Sequence, residues 1–262
     1  MRSGNEDSYA VKPYGATLLA MVADGLGGHA NGEVASSLAV NTVIGLLSGK
    51  PVDEDALLEA LLRANSQICQ AGIHGHTNAA AVWMDQETAL AAHVGDSRIY
   101  HFRDGRILFQ SEDHSYVQVA VLVGELEPSA VRHHPDRNRI FRVLGDPAEA
   151  PRIDSRELDL RPGDRLLICS DGFWEPVTEE DMLRTLAETG SAEEWLDALK
   201  LLIEFVSTPY FTEESVQKER EIIGQEIDMN EDSPETRIFG ANGYPFALLA
   251  GPSHLYNIAL QK

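Results

Sequence analysis

The sequence predicts an α+β fold, and three observations carry that expectation. Between residues 79 and 110 short apolar runs, "AAAVWM", "ALAAHV", "SRIYHF" and "RILFQ", are broken by turn residues, the texture of an antiparallel meander. Helical periodicity covers "GEVASSLAVNTVIGLL" and "DEDALLEALLRANSQICQ", and it returns after residue 178. Between these sits "ATLLAMVA" (16–23), an unbroken apolar run that ends on Asp24 and a glycine-rich turn, as a buried strand would.

Taken in order, the strand over 16–23 delivers the Asp24 carboxylate to a strand end. Two helices follow, the second opening on acidic residues that suit a helix N-terminus and carrying Leu57, Leu58, Leu61, Leu62 and Ile68 on one face. Within the meander Asp104-Gly105 is a hairpin turn, because both residues tolerate a left-handed backbone. Residues 115–145, polar and rich in His and Arg, predict a helical insertion, and "RELDLRPGDRLLICSDG" predicts a hairpin ending at Asp171. A Thr-Glu-Glu-Asp start at 178 resembles a capping segment and opens the helices "AEEWLDALKLLIEFV" and "TEESVQKEREIIGQEIDM". From Ser233 onward no period is evident, and the chain has neither an internal repeat nor a low-complexity linker.

Composition narrows the partners. The 262 residues carry 42 acidic against 21 basic side chains, a net charge of −21, which repels nucleic-acid phosphates and anionic lipid headgroups. A solubility-driven or halophilic surface accounts for that charge more readily than a cation-binding role does. Two cysteines make no disulfide framework, no run of about 18 apolar residues offers a membrane span, and "MRSGNEDSY" lacks the build of a signal peptide. The expectation is a cytoplasmic protein without nucleic-acid or membrane partners.

Four acidic islands repeat one design, a carboxylate beside a strand end or glycine turn: "NED" (5–7), "ADG" (23–25), "EDHS" (112–115) and "SDG" (170–172). One such island alone is an ordinary turn. Four together, gathered in one pocket, would repel each other unless cations neutralised them, and oxygen-only ligation suits Mg²⁺ or Mn²⁺ better than Zn²⁺. Glycine beside Asp24 would let a backbone carbonyl join the ligands.

The motifs "RSGNEDS" (2–8), "VADGLGGHANGEVAS" (22–36), "VGDSRIY" (94–100), "EDHS" (112–115), "RNRIFRVLG" (137–145) and "LLICSDGFWE" (166–175) occur in an order that resembles the metal-dependent protein serine/threonine phosphatases, the PPM or type-2C family. The resemblance covers residues 1 to about 200. It implies a four-layer sandwich of two antiparallel sheets flanked by helices, with a binuclear Mn²⁺ or Mg²⁺ centre at one end. By it Asp24 would bridge two metals, the Gly25 carbonyl would bind one, and Asp171 would hold the other. Glu6 and Asp7 would act through metal-bound water, and Asp113 with Asp171 would take a third, weaker metal. Arg2 stands at the family's substrate-phosphate clamp, a role that suits a fork-shaped cation. The implied activity is hydrolysis of phosphoserine and phosphothreonine in proteins, with a water activated by two divalent cations attacking phosphorus in line.

Other residues receive quieter readings. His29 is a structural histidine of the turn, since members credited with a histidine general acid carry it directly after Asp-Gly, where this chain has Leu26. His133 and His134 sit in the insertion that resembles the family's mobile flap and are expected at the surface. Cys169 reads as a small buried hydrophobe, and Trp83, Trp174 and Trp195 as packing anchors.

The chain also departs from the pattern. The family's first strand would precede Arg2, and no Asp-Asn dipeptide occurs to supply its last metal-ligand aspartate, so the sandwich is expected to be incomplete at both ends. Asp228 or Asp232 is a candidate substitute. Residues 201–239 resemble a helical segment of pitrilysin or insulinase-type zinc peptidases, but without an H-x-x-E-H motif no peptidase activity is implied. The expected organisation is a phosphatase domain over 1–200 and a helical tail over 201–262. The alternative to an active enzyme is a catalytically impaired, phosphatase-like module that binds phosphoprotein.

Overall fold

A computed structural model describes residues 5–26, 30–86, 88–148 and 150–207. Arg2, His29, Asp228, Asp232, the helix expected over 212–229 and the peptidase-like stretch beyond 207 lie outside the described residues.

The buried strand over 16–23 is β2 (Thr17–Ala23), and it is preceded by β1 (Ser8–Tyr14), which the sequence reading missed. That strand is an edge with exposed Tyr9, Val11 and Tyr14, so it shows no clean apolar alternation. After Asp24 come β3 (Gly25–Leu26), α1 (Ala30–Leu47) and α2 (Glu54–Ala71). Asp53 caps α2 by accepting the Ala56 N–H at 2.8 Å. Its buried stripe runs through Leu57, Ala60, Leu61, Ala64 and Ile68; Leu58 is only half-buried and Leu62 is 41% exposed. The face expected from leucines alone is therefore rotated, because small alanines let α1 approach closely.

Next are β4 (His76–Thr77), β5 (Ala79–Met84), β6 (Ala89–Val94), β7 (Arg98–Arg103) and β8 (Arg106–Gln110). The β7–β8 hairpin turns at Asp104-Gly105, with φ of 49° and 70°, as its sequence demands. The four meander strands nevertheless belong to two sheets. One has the order β1-β2-β5-β6-β9, where β9 is Asp154–Glu157; the other is β10-β7-β8, where β10 is Arg165–Cys169. The chain changes sheets at Gly95–Ser97, where Gly95 has φ +100°. The expected hairpin over 156–172 is likewise not formed: β9 pairs with β6 and β10 with β7.

Alternation along the strands then builds the four expected layers. Ala79, Ala81 and Trp83 of β5, with Leu90, Ala92 and Val94 of β6, pack under α1 and α2. Ala80, Val82, Ala89 and Ala91 face Ile99, Ile168 and Leu166 of the other sheet. On that sheet's far side Tyr100, Phe102 and Cys169 meet Trp174, Met182, Trp195 and Leu199. Both faces of β5 and β6 are buried, so these strands read as continuous apolar runs.

The insertion holds one short helix, α3 (Tyr116–Leu122), and a 3₁₀ turn (Pro128–His133), with turns elsewhere, so it is less helical than expected. Three helices complete the described chain: α4 (Asp171–Trp174), α5 (Glu179–Ala187) and α6 (Ala192–Ser207). The boundary expected after residue 200 falls inside α6. At the head of α5 the capping box is complete, with Thr178 Oγ1 accepting the Asp181 N–H at 3.2 Å and Asp181 Oδ2 accepting the Thr178 N–H at 3.4 Å. Substituting Thr178→Ala is predicted to cost about 1 kcal/mol of stability, read as a lower urea midpoint at unchanged slope; an unmoved midpoint would show the cap to be idle.

Candidate metal centre

Asp24 leaves β2 at the point where the chain turns into β3. Its carbonyl accepts both the Thr77 hydroxyl (2.8 Å) and the Asn78 N–H (2.9 Å), so the peptide that follows is held from two sides. Gly25 then runs against other backbone: a Cβ there would stand 2.6 Å from the Glu6 carbonyl oxygen and closer still to the backbone of Gly32. The glycines at 25 and 32 are thus required by a crossing of β3 over the first turn of α1. The Glu6 carbonyl accepts the Ser36 hydroxyl at 2.6 Å, which ties the segment before β1 to the same helix.

Around this crossing the chain brings carboxylates together. Asp24, 7% exposed, lies within hydrogen-bonding reach of Asp7 and Asp171. Asp171 is the first residue of α4; the preceding Ser170 hydroxyl donates to Asp7 Oδ2 at 3.1 Å. Burial, then the charges of Asp171 and Asp7, push the Asp24 carboxyl up to about 9. Asp171 is raised for the same first reason, with Glu175 next. The Glu6 carboxylate lies against Gly32 at the start of α1. Oxygen donors that grip protons because burial strips their water and like charges stand beside them are the donor set a hard divalent cation fits, since the cation compensates the charge in both respects.

Asp96 was missed as a site residue although "VGDSRIY" was noted. It is 3% exposed, and burial with the charges of Asp171 and Asp113 raises it to about 8. Its signal was an acid directly after glycine at a strand end, the design of the other islands.

Asp113 is buried as well, but both of its oxygens are engaged. Arg98 Nε donates to Oδ1 at 2.8 Å and Nη2 to Oδ2 at 2.7 Å. The guanidinium lies 3.6 Å from the centroid of the Trp174 ring, so Trp174 anchors the site as well as the core. His133 is exposed and His134 half-buried in the insertion, as expected of surface histidines. Burial holds the Cys169 thiol up to about 12, consistent with an inert side chain.

A second group, His93, His114 and Asp154, presents possible ligand atoms within 4.8 Å of one another. Its hydrogen bonds argue for a structural brace. His114 Nδ1 accepts the Gly95 N–H (3.1 Å), which places the ring proton on Nε2, facing Asp154 Oδ2 at 3.1 Å. Arg142 and Arg152 each stand 3.8 Å from the other Asp154 oxygen, where they would oppose a cation.

The chain is similar to known proteins in sequence and in fold. The family described as Protein phosphatase 2C matches residues 2–205. The serine/threonine protein phosphatase PstP of Mycobacterium tuberculosis is 39% identical over 196 residues, 71% of this chain and 37% of that protein. This chain therefore corresponds to little more than a third of that relative. The serine/threonine phosphatase stp of Listeria monocytogenes is 31% identical over 193 residues, 68% of this chain and 75% of that protein. A crystal structure of the PstP catalytic domain with two manganese ions superposes with a TM-score of 0.67 at 31% identity, covering 79% of this chain and 87% of that one. No described helix is long and apolar enough to cross a membrane.

Two outcomes follow. The raised Asp24 and Asp96 carboxyls stabilise the chelated protein while protonated, and that stability is lost as pH rises from about 4 toward 8–9. The melting temperature of the chelated protein is predicted to fall over that window, and added Mn²⁺ to restore it most at the alkaline end; a flat profile would contradict the reading. Gly32→Ala would gain up to about 1 kcal/mol of helix propensity. Its Cβ, however, would stand 2.9 Å from the Gly25 carbonyl carbon, and overpacking costs about 1–3 kcal/mol. Net destabilisation in urea unfolding is expected, and a stabilised variant would exclude the close crossing.

Proposed function

The chain belongs to the protein phosphatase 2C family, and from that premise we propose that it is a metal-dependent phosphatase of phosphoserine and phosphothreonine in proteins. The observation that carries the reading is the carboxylate cluster of buried Asp24, half-buried Asp171 and exposed Asp7, with no cationic side chain among the described groups that chiefly shift Asp24. In this reading Asp24, Asp171, the Gly25 carbonyl, Asp7 and Glu6 hold two Mn²⁺ or Mg²⁺ ions. The PstP structure with two manganese ions supports that choice of metal. When bound, such ions supply Lewis acidity and make water acidic enough to serve as a nucleophile near neutral pH.

The chain's own residues orient the donors. Thr77 and Asn78 fix the Asp24 peptide, and Ser170 holds Asp7 beside Asp171. Arg98 occupies both oxygens of Asp113, and a third, weaker ion at Asp113 and Asp171 would have to compete with that guanidinium. Arg2 is assigned the substrate phosphate, by resemblance. In this reading the enzyme acts on phosphoproteins in the cytoplasm, and its net charge of −21 disfavours nucleic acid as a partner.

The lack of an Asp-Asn dipeptide favours a second reading, a phosphatase-like module that binds metal at one site or none. The two separate on metal stoichiometry and turnover. The enzyme should bind two Mn²⁺ by calorimetry and release phosphate from a phosphothreonine peptide only with Mn²⁺ or Mg²⁺. Asp24→Ala should lower that rate at least roughly a hundredfold, beyond what loss of a merely supporting group costs. Absence of turnover at millimolar Mn²⁺ would leave only the module.

A further inference from the structure

Among the described residues the sandwich lacks a cover along one side. β10 pairs only with β7 and lies across from β2 and β5, so the second sheet ends short of β1. Under β10 and β7 the inner-facing Ala80, Val82 and Ala91 are buried. Further out, Leu18, Ala20 and Val22 of β2 are only half-buried, and on β1 Tyr9 and Val11, which pair with Val22 and Ala20, are 79% and 59% exposed. β10 carries the same mark: Leu166, Leu167 and Ile168 alternate between the two faces of their sheet yet none is buried, whereas β7 beside it is buried from Arg98 to Phe102.

The uncovered surface forms a groove with two unlike ends. A cavity of about 840 Å³ runs between Val11, Ala20, Leu166 and Leu196 to Arg161 and Arg165. It shares Val22, Ile168 and Lys200 with a second cavity of about 370 Å³, which reaches Asp7 and Ser170 of the metal centre. At the far end the Arg165 guanidinium donates to the carbonyls of Gly163, Asp164 and Gly190, and its Nε is buried with no partner among the described residues. In a chain of net charge −21, the far end of the groove thus presents a cation that no described carboxylate balances.

An unpaired strand edge beside an apolar trough is a seat for an extended chain, whose backbone completes the ladder while alternate side chains fill the two faces. A second copy of this chain is a poor occupant, because Lys12 and Pro13 on β1 oppose pairing of edge on edge. A phosphorylated segment suits both ends of the groove. We propose that the groove along β10 binds the phosphoprotein substrate as an added strand, with the phosphorylated residue at the Asp7 and Ser170 end, apolar residues on both faces of the strand and an acidic residue at Arg165. This inference rests on the phosphatase reading for the identity of the partner, and it adds to that reading a preference for extended, apolar sequence beside the phosphate. The five residues of β10 span about 17 Å, so the contact extends about five residues from the phosphorylated one.

The test uses the full chain with fluorescein-labelled phosphothreonine peptides whose flanks are either Val and Ile or Ser and Gly, each ending in Glu, and with p-nitrophenyl phosphate as an ester that has no flank. Binding is read by fluorescence anisotropy in chelator, and turnover in Mn²⁺. The Val-Ile peptide is expected to bind roughly tenfold or more tightly than the Ser-Gly peptide. Val11→Lys and Leu196→Lys, both at exposed positions, are expected to remove that advantage through KM while leaving turnover of p-nitrophenyl phosphate unchanged. N-methylation of alternate flank amides is expected to weaken binding several-fold in one of the two alternate sets, because only that set faces β10, and exchange of the Glu for Gln to weaken it as well. Equal binding of the two flanks, equal effects of the two N-methylated sets, no effect of the Gln, or variants that slow both esters alike would overturn the proposal. So would sedimentation as a dimer that Val11→Lys dissociates, since a second copy would then hold the groove. If the unaltered chain hydrolyses neither ester, the phosphatase reading fails and the substrate role of the groove with it, a result distinct from loss of flank selectivity in chelator, which sinks the groove alone.

Discussion

Mutual repulsion among Asp7, Asp24, Asp96 and Asp171 is the constraint to which much of this end of the molecule answers. Burial and neighbouring like charges drive Asp24 to about 9 and Asp96 to about 8, so the fold must hold together groups that would separate if free. It does so with neutral donors to the backbone and at the periphery of the cluster: Thr77 and Asn78 on Asp24, Ser170 on Asp7, Asn78 and Trp174 on Asp96. Neutral braces leave the negative charge unspent, which is the condition for strong binding of a hard cation.

Arg98 marks the border of that arrangement. It pairs bidentately with Asp113, stacks on Trp174, and reaches Tyr100 and Glu179, so one buried cation neutralises the acids on its own side. Arg132 and Arg137 extend the border by holding Glu179 and Glu175, the latter at 2.5 Å, which ties the insertion to the segment following Asp171. Among the described residues the acids therefore divide into a set balanced by arginine and a set that face one another.

Much of this was legible in the sequence because it is local. Asp24, Asp171 and Asp113 could be picked out because each follows a strand-length apolar run or sits beside a turn, and the Asp104-Gly105 hairpin and the Thr178 capping box depend only on residues a few positions apart. The missed features share the opposite property. β1 is an exposed edge whose side chains face no single medium, so its pattern carries no period. Asp96 had the local signal of an acid beside a glycine turn, but its burial among Asn78, Asp171 and Trp174, residues distant in sequence, appears only in the fold. The rotated face of α2 depends on α1, which meets it through alanines that a hydrophobic count undervalues.

By itself the sequence determined the α+β class and the positions of the acidic turns, because periodicity and turn chemistry act over short spans, and the order of its motifs carried the resemblance to the family to which the chain belongs. Only the tertiary structure decided which sheet each strand joins, why Gly25 and Gly32 must lack side chains, and which acids face arginine and which face one another. Those outcomes depend on where distant segments meet: strand pairing is chosen by the partner, and a carboxylate's charge is priced by its neighbours in space.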